Sequence, residues 1–486
     1  MPDPAQTPGE LRREPAQALS EATGYSAEQL AALLDCPHLR DWITKQRWYA
    51  SKTRPVTGID IVEEIPLRRQ PTLVLALAQA RFAQGTHELY QLPLGVARRD
   101  EESSIPATPI GETDELVAYD AVLDPVHARE LLRRVEEGGD LPTSEGMLSF
   151  RCLDNGITVS DDMPVRPVGV EQSNSSLVFG DRYVLKVFRK IEPGINPELE
   201  LLRFLTARGF PNIAALHGWY EYEGAALAGT LGVAQQFVPD ATDGWTLALD
   251  EAVSVPDRFL EQLGDLGLAT AQMHTALASD AGDPAFSPEE PSQEAISLLT
   301  ATIDEDIERM FLRLPEDDRL APIIGRGEDV RERLAARAQV GLSGKQIRIH
   351  GDYHLGQTLF SPRGWVILDF EGEPARALPE RRQKRSPLRD VASMLRSFAY
   401  VSSAAERLRG QPVPEDFERR ARLTFLESYF SEVDPTLLPA GETAVQNLLA
   451  IFELEKAIYE LRYELDNRPD WVGIPVAGIE RLLETT

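Results

Sequence analysis

The sequence has little cysteine. Cys36 and Cys152 are the only two in 486 residues, too few and too far apart for a disulfide framework or a zinc site, and a reducing, cytoplasmic setting is expected. It has no run of eighteen apolar residues, so no membrane span is expected. The start lacks a basic segment followed by an apolar stretch, so no secretory signal is read there. Positive charge is scarce: 50 basic residues face 78 acidic ones, a formal balance of −28, which argues against nucleic-acid and anionic-membrane partners. That field also opposes the approach of an anionic ligand, so local lysine, arginine or a divalent cation must overcome it at any such site. The apolar fraction of 42% is ample for globular cores, and the length predicts two or three structural units.

What is present centres on His350-Gly351-Asp352-Tyr353-His354-Leu355-Gly356-Gln357, followed by Leu368-Asp369-Phe370-Glu371. Asp352 and Asp369 lie seventeen positions apart with an apolar run between them. Phosphoryl transfer needs such a pair, one carboxylate to take a hydroxyl proton and another to hold the magnesium that screens the phosphates. Gln357 offers a second, neutral oxygen to a hard cation. Gln346–Ile349 and Trp365–Leu368 read as short strands, and Ser361-Pro362-Arg363-Gly364 as the turn between the motifs. A lone aspartate usually closes a turn, but the joint pattern HGDxHxxQ…DFE is far more restrictive than either residue.

Residues 1–25 are polar and proline-containing and read as a loose segment. Helices are expected at 28–34 and 39–45, and strands at 59–62, 73–77 and 88–94, which together make a small sheet with helices, a cap subdomain over 26–110. The acidic, polar stretch 98–115 reads as a linker or long loop, and a helix is expected over 125–137. An intermediate subdomain over 111–238 carries strands at 165–170, 176–179, 183–188 and 230–237, with a turn at Gly180-Asp181-Arg182. A helix is expected at 197–208. From 239 to 486 the chain reads as mostly helical, apart from the catalytic hairpin.

Val184-Leu185-Lys186-Val187-Phe188 places a lysine inside an apolar strand, where it needs a partner or a route to water. Glu200 on the next helix is the expected partner, with Glu198 the less favoured choice. Such a lysine contacts α and β phosphates while the glutamate orients it. Ahead of it, Glu171-Gln172-Ser173-Asn174-Ser175-Ser176 stands where a phosphate-covering hairpin belongs. It is neither GxGxxG nor GxxxxGK[ST], and Ser173 and Ser175 are its candidate phosphate contacts. Gln235-Gln236-Phe237-Val238 would connect the lobes, with the backbone of Gln236 and Val238 against adenine.

At these residues the chain resembles the actinobacterial maltokinases, the maltokinase-like branch of the aminoglycoside phosphotransferase and eukaryotic-like kinase superfamily. The resemblance runs through Gln46-Arg47-Trp48-Tyr49, Lys186-Val187-Phe188-Arg189, Asp243-Gly244-Trp245-Thr246, Asp369-Phe370-Glu371-Gly372-Glu373-Pro374, Ser386-Pro387-Leu388-Arg389-Asp390-Val391 and Arg468-Pro469-Asp470-Trp471. It implies an α+β, bilobal protein-kinase-like fold with an N-terminal cap subdomain and a mostly helical C-terminal lobe. It implies ATP-dependent phosphorylation of maltose at the anomeric hydroxyl, giving maltose 1-phosphate in trehalose and α-glucan metabolism. By motif position Asp352 is the catalytic base, Gln357 and Asp369 are magnesium ligands, and Lys186 with Glu200 positions phosphate. Many phosphotransferases have asparagine where Gln357 stands, and glutamine there is the maltokinase-like pattern. A related glucosamine kinase is the alternative, a nucleotide-binding pseudokinase is a further one, and the cap is a candidate docking surface for an enzyme of trehalose metabolism.

The acceptor sugar is expected against Asp352 and the last long helix, where Lys456, Tyr459, Glu460 and Tyr463 fall at i, i+3, i+4 and i+7 on one face. The same stripe is also ordinary helix packing. Glu373 and Arg376 are alternative sugar contacts beside the metal loop. The helix opened by Ser386-Pro387 is expected to have serine as its N-cap and an apolar stripe of Leu388, Val391, Leu395 and Phe398.

Overall fold

The computed structural model describes residues 25–26, 29, 33, 36–49, 51–99, 109–153, 156–169, 173–338 and 344–484. The loose start, most of the helix expected at 28–34, the middle of the 98–115 linker, and Glu171 and Gln172 lie outside the described residues. The chain divides into two compact units, 1–200 with 214–239, and 201–213 with 240–486.

The first unit holds two antiparallel sheets. After helix α1 (Cys36–Ile43), β1 (Val56–Arg68), β2 (Thr72–Phe82) and β3 (His87–Arg98) form a meander, and β4 (Gly111–Glu112) and β5 (Leu116–Asp120) complete the order β1-β2-β3-β5-β4. The sheet therefore continues beyond residue 110. β2 is apolar on both faces because each face has its own core. Leu73, Leu75 and Leu77 enter one cluster, while Val74, Ala76, Ala78 and Ala80 enter another with Leu39, Ile43 and Tyr49. Each fully buried leucine stabilises the unit by about 1.5–3 kcal/mol. Helix α2 (Pro125–Glu137) starts on Asp124, whose side chain accepts from Val126 N, with proline at the first turn.

The second sheet has seven strands, β6 (Gly139–Pro142), β7 (Gly146–Cys152), β8 (Val165–Pro167), β9 (Asn174–Phe179), β10 (Tyr183–Phe188), β12 (Leu216–Gly224) and β13 (Ala228–Gln236), in the order β6-β7-β12-β13-β10-β9-β8. A two-residue strand, β11 (Lys190–Ile191), joins the first sheet on β3 instead. Gly180 and Asp181 take positive φ in the β9–β10 turn, as that tight connection requires. β6, β7 and β12 were not expected. β12 mixes glycine, tryptophan and glutamate (Leu216-His217-Gly218-Trp219-Tyr220-Glu221), so only its alternating burial in the structure marks it as a strand. β10 lies between β9 and β13, so Lys186 sits in a central strand and not on an edge. Helix α3 (Pro197–Ala207) carries the chain into the second unit.

The second unit is built from α4 (Gly244–Ser254), α5 (Pro256–Leu277), α6 (Gln293–Phe311), α7 (Gly327–Ala338), α8 (Leu388–Arg409), α9 (Phe417–Glu432), α10 (Glu442–Asn467) and α11 (Gly473–Glu484). A three-stranded sheet joins β14 (Thr242–Asp243), β15 (Thr358–Ser361) and β16 (Gly364–Ile367). A Cβ on Gly244 would stand 2.1 Å from Thr358 Oγ1, so only glycine lets α4 begin against this hairpin. Gln346–Ile349 is not a strand. Gln346 and Ile347 make isolated bridges to Glu289 and Arg385, because their neighbours are loops and offer no ladder. α8 begins one residue later than expected, with Pro387 in the N-cap place, while Ser386 Oγ accepts from Leu388 N at 3.4 Å. Its stripe of Leu388, Val391, Leu395 and Phe398 is fully buried.

Candidate active site

In the second unit the loop around Asp352 is tied down on several sides. Asp390, buried at the start of α8, accepts from His350 N at 2.8 Å and Gly351 N at 2.9 Å, and His274 Nε2 of α5 stands 3.1 Å away. Burial pushes the Asp390 carboxyl up, but the His274 bond, the His274 and His350 charges and the Gly351 N–H outweigh it, leaving the group below the usual aspartate value. Gly351 has φ +86°, which any other residue would adopt under strain. The buried Tyr353 hydroxyl meets Thr270 Oγ1 at 2.8 Å, and Leu355 N donates to Ser397 Oγ at 3.2 Å. His350 Nε2 lies 2.8 Å from Leu368 O, linking this loop to the one that carries Asp369. His350 is therefore a brace.

The hairpin of β15 and β16 brings the two motif halves together. Thr358 pairs with Ile367 and Ser361 with Gly364, so the chain turns back within four residues. Leu368 N donates to Gln357 O at 2.9 Å, and Gln357 Nε2 donates to Asp369 Oδ2 at 2.9 Å. Asp369 has φ +60°, a conformation that costs a non-glycine residue about 1–3 kcal/mol and is retained where the surroundings enforce it. The carboxylates of Asp369 and Glu371 approach within 4.8 Å of each other. The carboxylate oxygens of Asp369 and Glu371 are donors that fit a hard divalent cation, while Gln357 turns its amide nitrogen to Asp369. Glu371 adds a donor to the two read from the sequence, and its signal was its place in the Asp-Phe-Glu run.

Asp352 Oδ1 lies 3.4 Å from Lys456 Nζ on α10, with both side chains about one-fifth exposed. Burial pulls Lys456 down, but Asp352, Glu373 and Glu460 hold it above the usual lysine value, so it stays an ammonium. His354 Nε2 is 3.9 Å from Asp352 Oδ2, and burial favours its neutral ring over the pull of Asp352. Beside these groups is a cavity of about 660 Å3, lined by Gly351, Glu373, Arg376, Lys456 and Tyr459 among others. Glu373 accepts from Arg376 Nε, and Arg389 of α8 pairs with Glu455 of α10.

The expected stripe on α10 divides. Glu460 does not line the cavity; it takes Nε and Nη2 of the buried Arg396 at 3.0 and 2.7 Å, a structural ion pair. Tyr463 is 43% exposed and also outside the cavity. The face turned to the cavity carries Phe452, Glu455, Lys456, Tyr459 and Arg462 instead. Charged residues occupy several faces of α10, so composition does not fix its rotation about its axis.

In the first unit Lys186 pairs with Glu198, not with Glu200. Lys186 Nζ meets Glu198 Oε2 at 2.7 Å, and Gln235 Nε2 of β13 donates to Glu198 Oε1 at 2.8 Å. Two helical positions are separated by about 200° of rotation, so Glu198 and Glu200 face nearly opposite directions and only one can serve. Gln235 was missed, because an interior strand glutamine has no distinguishing pattern. Ser175 Oγ accepts from the buried Arg189 Nε at 2.8 Å, and Arg189 Nη2 also binds Asp120 Oδ2 at 2.6 Å. That hydroxyl is therefore engaged inside the unit. Ser173 Oγ accepts from Asn174 Nδ2 at 3.2 Å. Gln236 N donates to Ala215 O and Phe237 N to Arg182 O, while Val238 is buried.

Two families match the chain. Residues 42–124 match the maltokinase N-terminal cap domain and residues 164–423 the phosphotransferase enzyme family. A glucosamine kinase of Mycolicibacterium smegmatis is 30% identical over 342 residues, covering 66% of this chain and 79% of that protein. A glucosamine kinase of Streptacidiphilus jiangxiensis is 26% identical over 333 residues, covering 65% and 73%. Among solved structures, a glucosamine kinase in complex with glucosamine, ADP and inorganic phosphate superposes with a TM-score of 0.69 at 18% identity, over 94% of this chain and 99% of that one. The fold is thus α+β and protein-kinase-like, with its two larger sheets in the first unit and most of its helices in the second.

Proposed function

Because this chain belongs to the phosphotransferase enzyme family and is a phosphotransferase with an alcohol group as acceptor, we propose that it moves the terminal phosphoryl group of ATP onto the anomeric hydroxyl of maltose, giving maltose 1-phosphate and ADP. The observation that carries this reading is Asp352, held by a loop pinned on Asp390, 3.4 Å from Lys456 and next to a cavity that also presents Tyr459. Asp352 takes the proton of the acceptor hydroxyl as the oxygen attacks phosphorus. Lys456 keeps the carboxylate oriented and offers positive charge to the transferred group. Tyr459 supplies an aromatic face to the sugar ring, and Glu373 with Arg376 supplies hydrogen-bonding partners for its hydroxyls.

Lys186, fixed by Glu198, receives the α and β phosphates. With the N–H groups of Gln236 and Phe237 already used, Val238 is the backbone contact for adenine in this reading. Magnesium, for which Asp369 and Glu371 provide oxygen donors, supplies screening of the phosphate charge when bound.

The maltokinase cap match at 42–124 and the maltokinase-like residue blocks favour maltose. The glucosamine kinase relatives favour glucosamine as a second reading. Coupled ADP release with maltose, glucosamine, glucose and an aminoglycoside separates them. Turnover of maltose with the highest kcat/KM supports the first reading, and glucosamine ahead of maltose replaces it by the second. The cap is the proposed docking surface for an enzyme of trehalose metabolism, which co-elution of the two proteins tests.

A further inference from the structure

In a chain of formal charge −28, the walls of the cavity carry eight cationic side chains and six carboxylates. Three of its seven arginines are matched to carboxylates: Arg376 to Glu373, Arg389 to Glu455 and Arg309 to Asp306. Arg385 is different. Among the described residues it has no carboxylate within ion-pairing distance, and its guanidinium donates at 2.8 Å to the neutral Oε1 of Gln383. Burial and the nearby cations Arg389 and Arg376 depress it to about 10, against a weaker opposing pull from Glu455 and Glu380. Glu455 is itself shared, since Arg376 Nη2 stands 3.9 Å from it. Three neighbouring guanidinium groups thus have two paired carboxylates. The base of Arg385 is fixed, because its backbone exchanges hydrogen bonds of 2.8 and 2.9 Å with Ile347, just before the catalytic loop.

A partly buried arginine held among other arginines is a poor solution to packing and a good one to binding a multiply charged anion. Guanidinium groups match phosphate geometry, and each charge-assisted hydrogen bond gains in the desolvated setting. We infer that Arg385, flanked by Arg376 and Arg389, forms an anion subsite in this cavity that takes a phosphate group, either free inorganic phosphate or the phosphate of a sugar monoester. This goes beyond the acceptor reading, since neither maltose nor glucosamine carries negative charge.

Calorimetric titration of the full chain, without nucleotide or divalent cation, tests it with inorganic phosphate, a hexose monophosphate and the same hexose unphosphorylated. Saturable binding of an anion is expected, weakened about 10- to 100-fold in Arg385→Gln and less in Arg385→Lys, as loss of a charged hydrogen bond predicts. Equal affinity for phosphate and hexose monophosphate identifies the free ion as the ligand. Binding of the monoester at least tenfold tighter than both phosphate and hexose identifies a sugar phosphate. No saturable binding of either anion to the wild-type chain overturns the proposal. So does an affinity that folded Arg385→Gln or Arg385→Lys leaves unchanged. Failure of the sugar-kinase reading appears elsewhere, as absence of ADP release with every sugar, and does not alter this titration.

Discussion

The Lys186–Glu198 pair of the first unit and the Lys456–Asp352 pair of the second are built differently. Lys186 and Glu198 are 2.7 Å apart and nearly buried, and the second oxygen of Glu198 is held by Gln235. Lys456 and Asp352 are 3.4 Å apart, and both side chains reach solvent. The first pair is a closed hydrogen-bonded contact, and the second is a loose one at the margin of hydrogen-bond geometry. A closed pair fixes a cation in place. A loose pair leaves a carboxylate charged and oriented while its oxygens remain available for a proton. In the proposed reaction that difference suits the first pair to positioning and the second to proton transfer.

The comparison is broken most severely at Asp352. Asp352→Ala is expected to lower kcat by about 10²–10⁴-fold, the usual share of a general base, with an unchanged unfolding transition. Turnover equal to wild type would remove Asp352 from the mechanism. At the closed pair the damage should be structural. Glu198→Gln removes the carboxylate 2.7 Å from Lys186 in a nearly buried setting, and a loss of about 3–5 kcal/mol of stability is expected by chemical denaturation. The KM for ATP should rise with it, whereas Glu200→Gln keeps the pair and should leave that KM near wild type. A larger KM effect at Glu200 than at Glu198 would reverse the assignment of the orienting glutamate.

The support beneath the loose pair gives a pH test. Asp390 is depressed in the folded state, so its contribution is fully present above its unfolded value and fades as pH falls through the lower folded one. Asp390→Asn is expected to cost about 1–3 kcal/mol at neutral pH, since a buried donor loses its acceptor. The gap between variant and wild type should begin to narrow below about pH 4, where the aspartate of the unfolded chain takes up a proton, and close as pH falls through the lower folded value. A gap that widens on acidification would contradict the sign of the shift. The smallest effect is expected around Lys456. Tyr459→Ala should raise the acceptor KM several-fold, and Tyr463→Ala, outside the cavity, should leave it within a factor of two. Acceptor kinetics of the two variants side by side would show whether the cavity face of α10 is the sugar-binding one.

Much of the architecture was legible. The strands centred on 73–77 and 183–188, the helix at 125–137 and the stripe along α8 follow from periodicity and capping, which are local properties. β6 and β7 were not, because glycine, serine and proline interrupt their alternation, and the pairing of β7 with β12 and of β6 with β7 supplies the missing constraint. Gln346–Ile349 has the composition of a strand but finds no continuous partner, so it stays extended and unladdered.

By itself the sequence determined that Asp352, Gln357 and Asp369 lie close together, since eighteen consecutive residues hold them and a tight hairpin is the economical way to close the gap. Only the tertiary structure decided which glutamate serves Lys186, which face of α10 looks into the cavity, and that Lys456 reaches Asp352 across 104 residues of chain. Those choices depend on the rotation of a helix about its own axis. α10 has buried apolar residues on more than one side, Leu448, Leu449, Leu454 and Leu461 among them, so its hydrophobic pattern alone leaves the rotation open and the neighbouring elements set it.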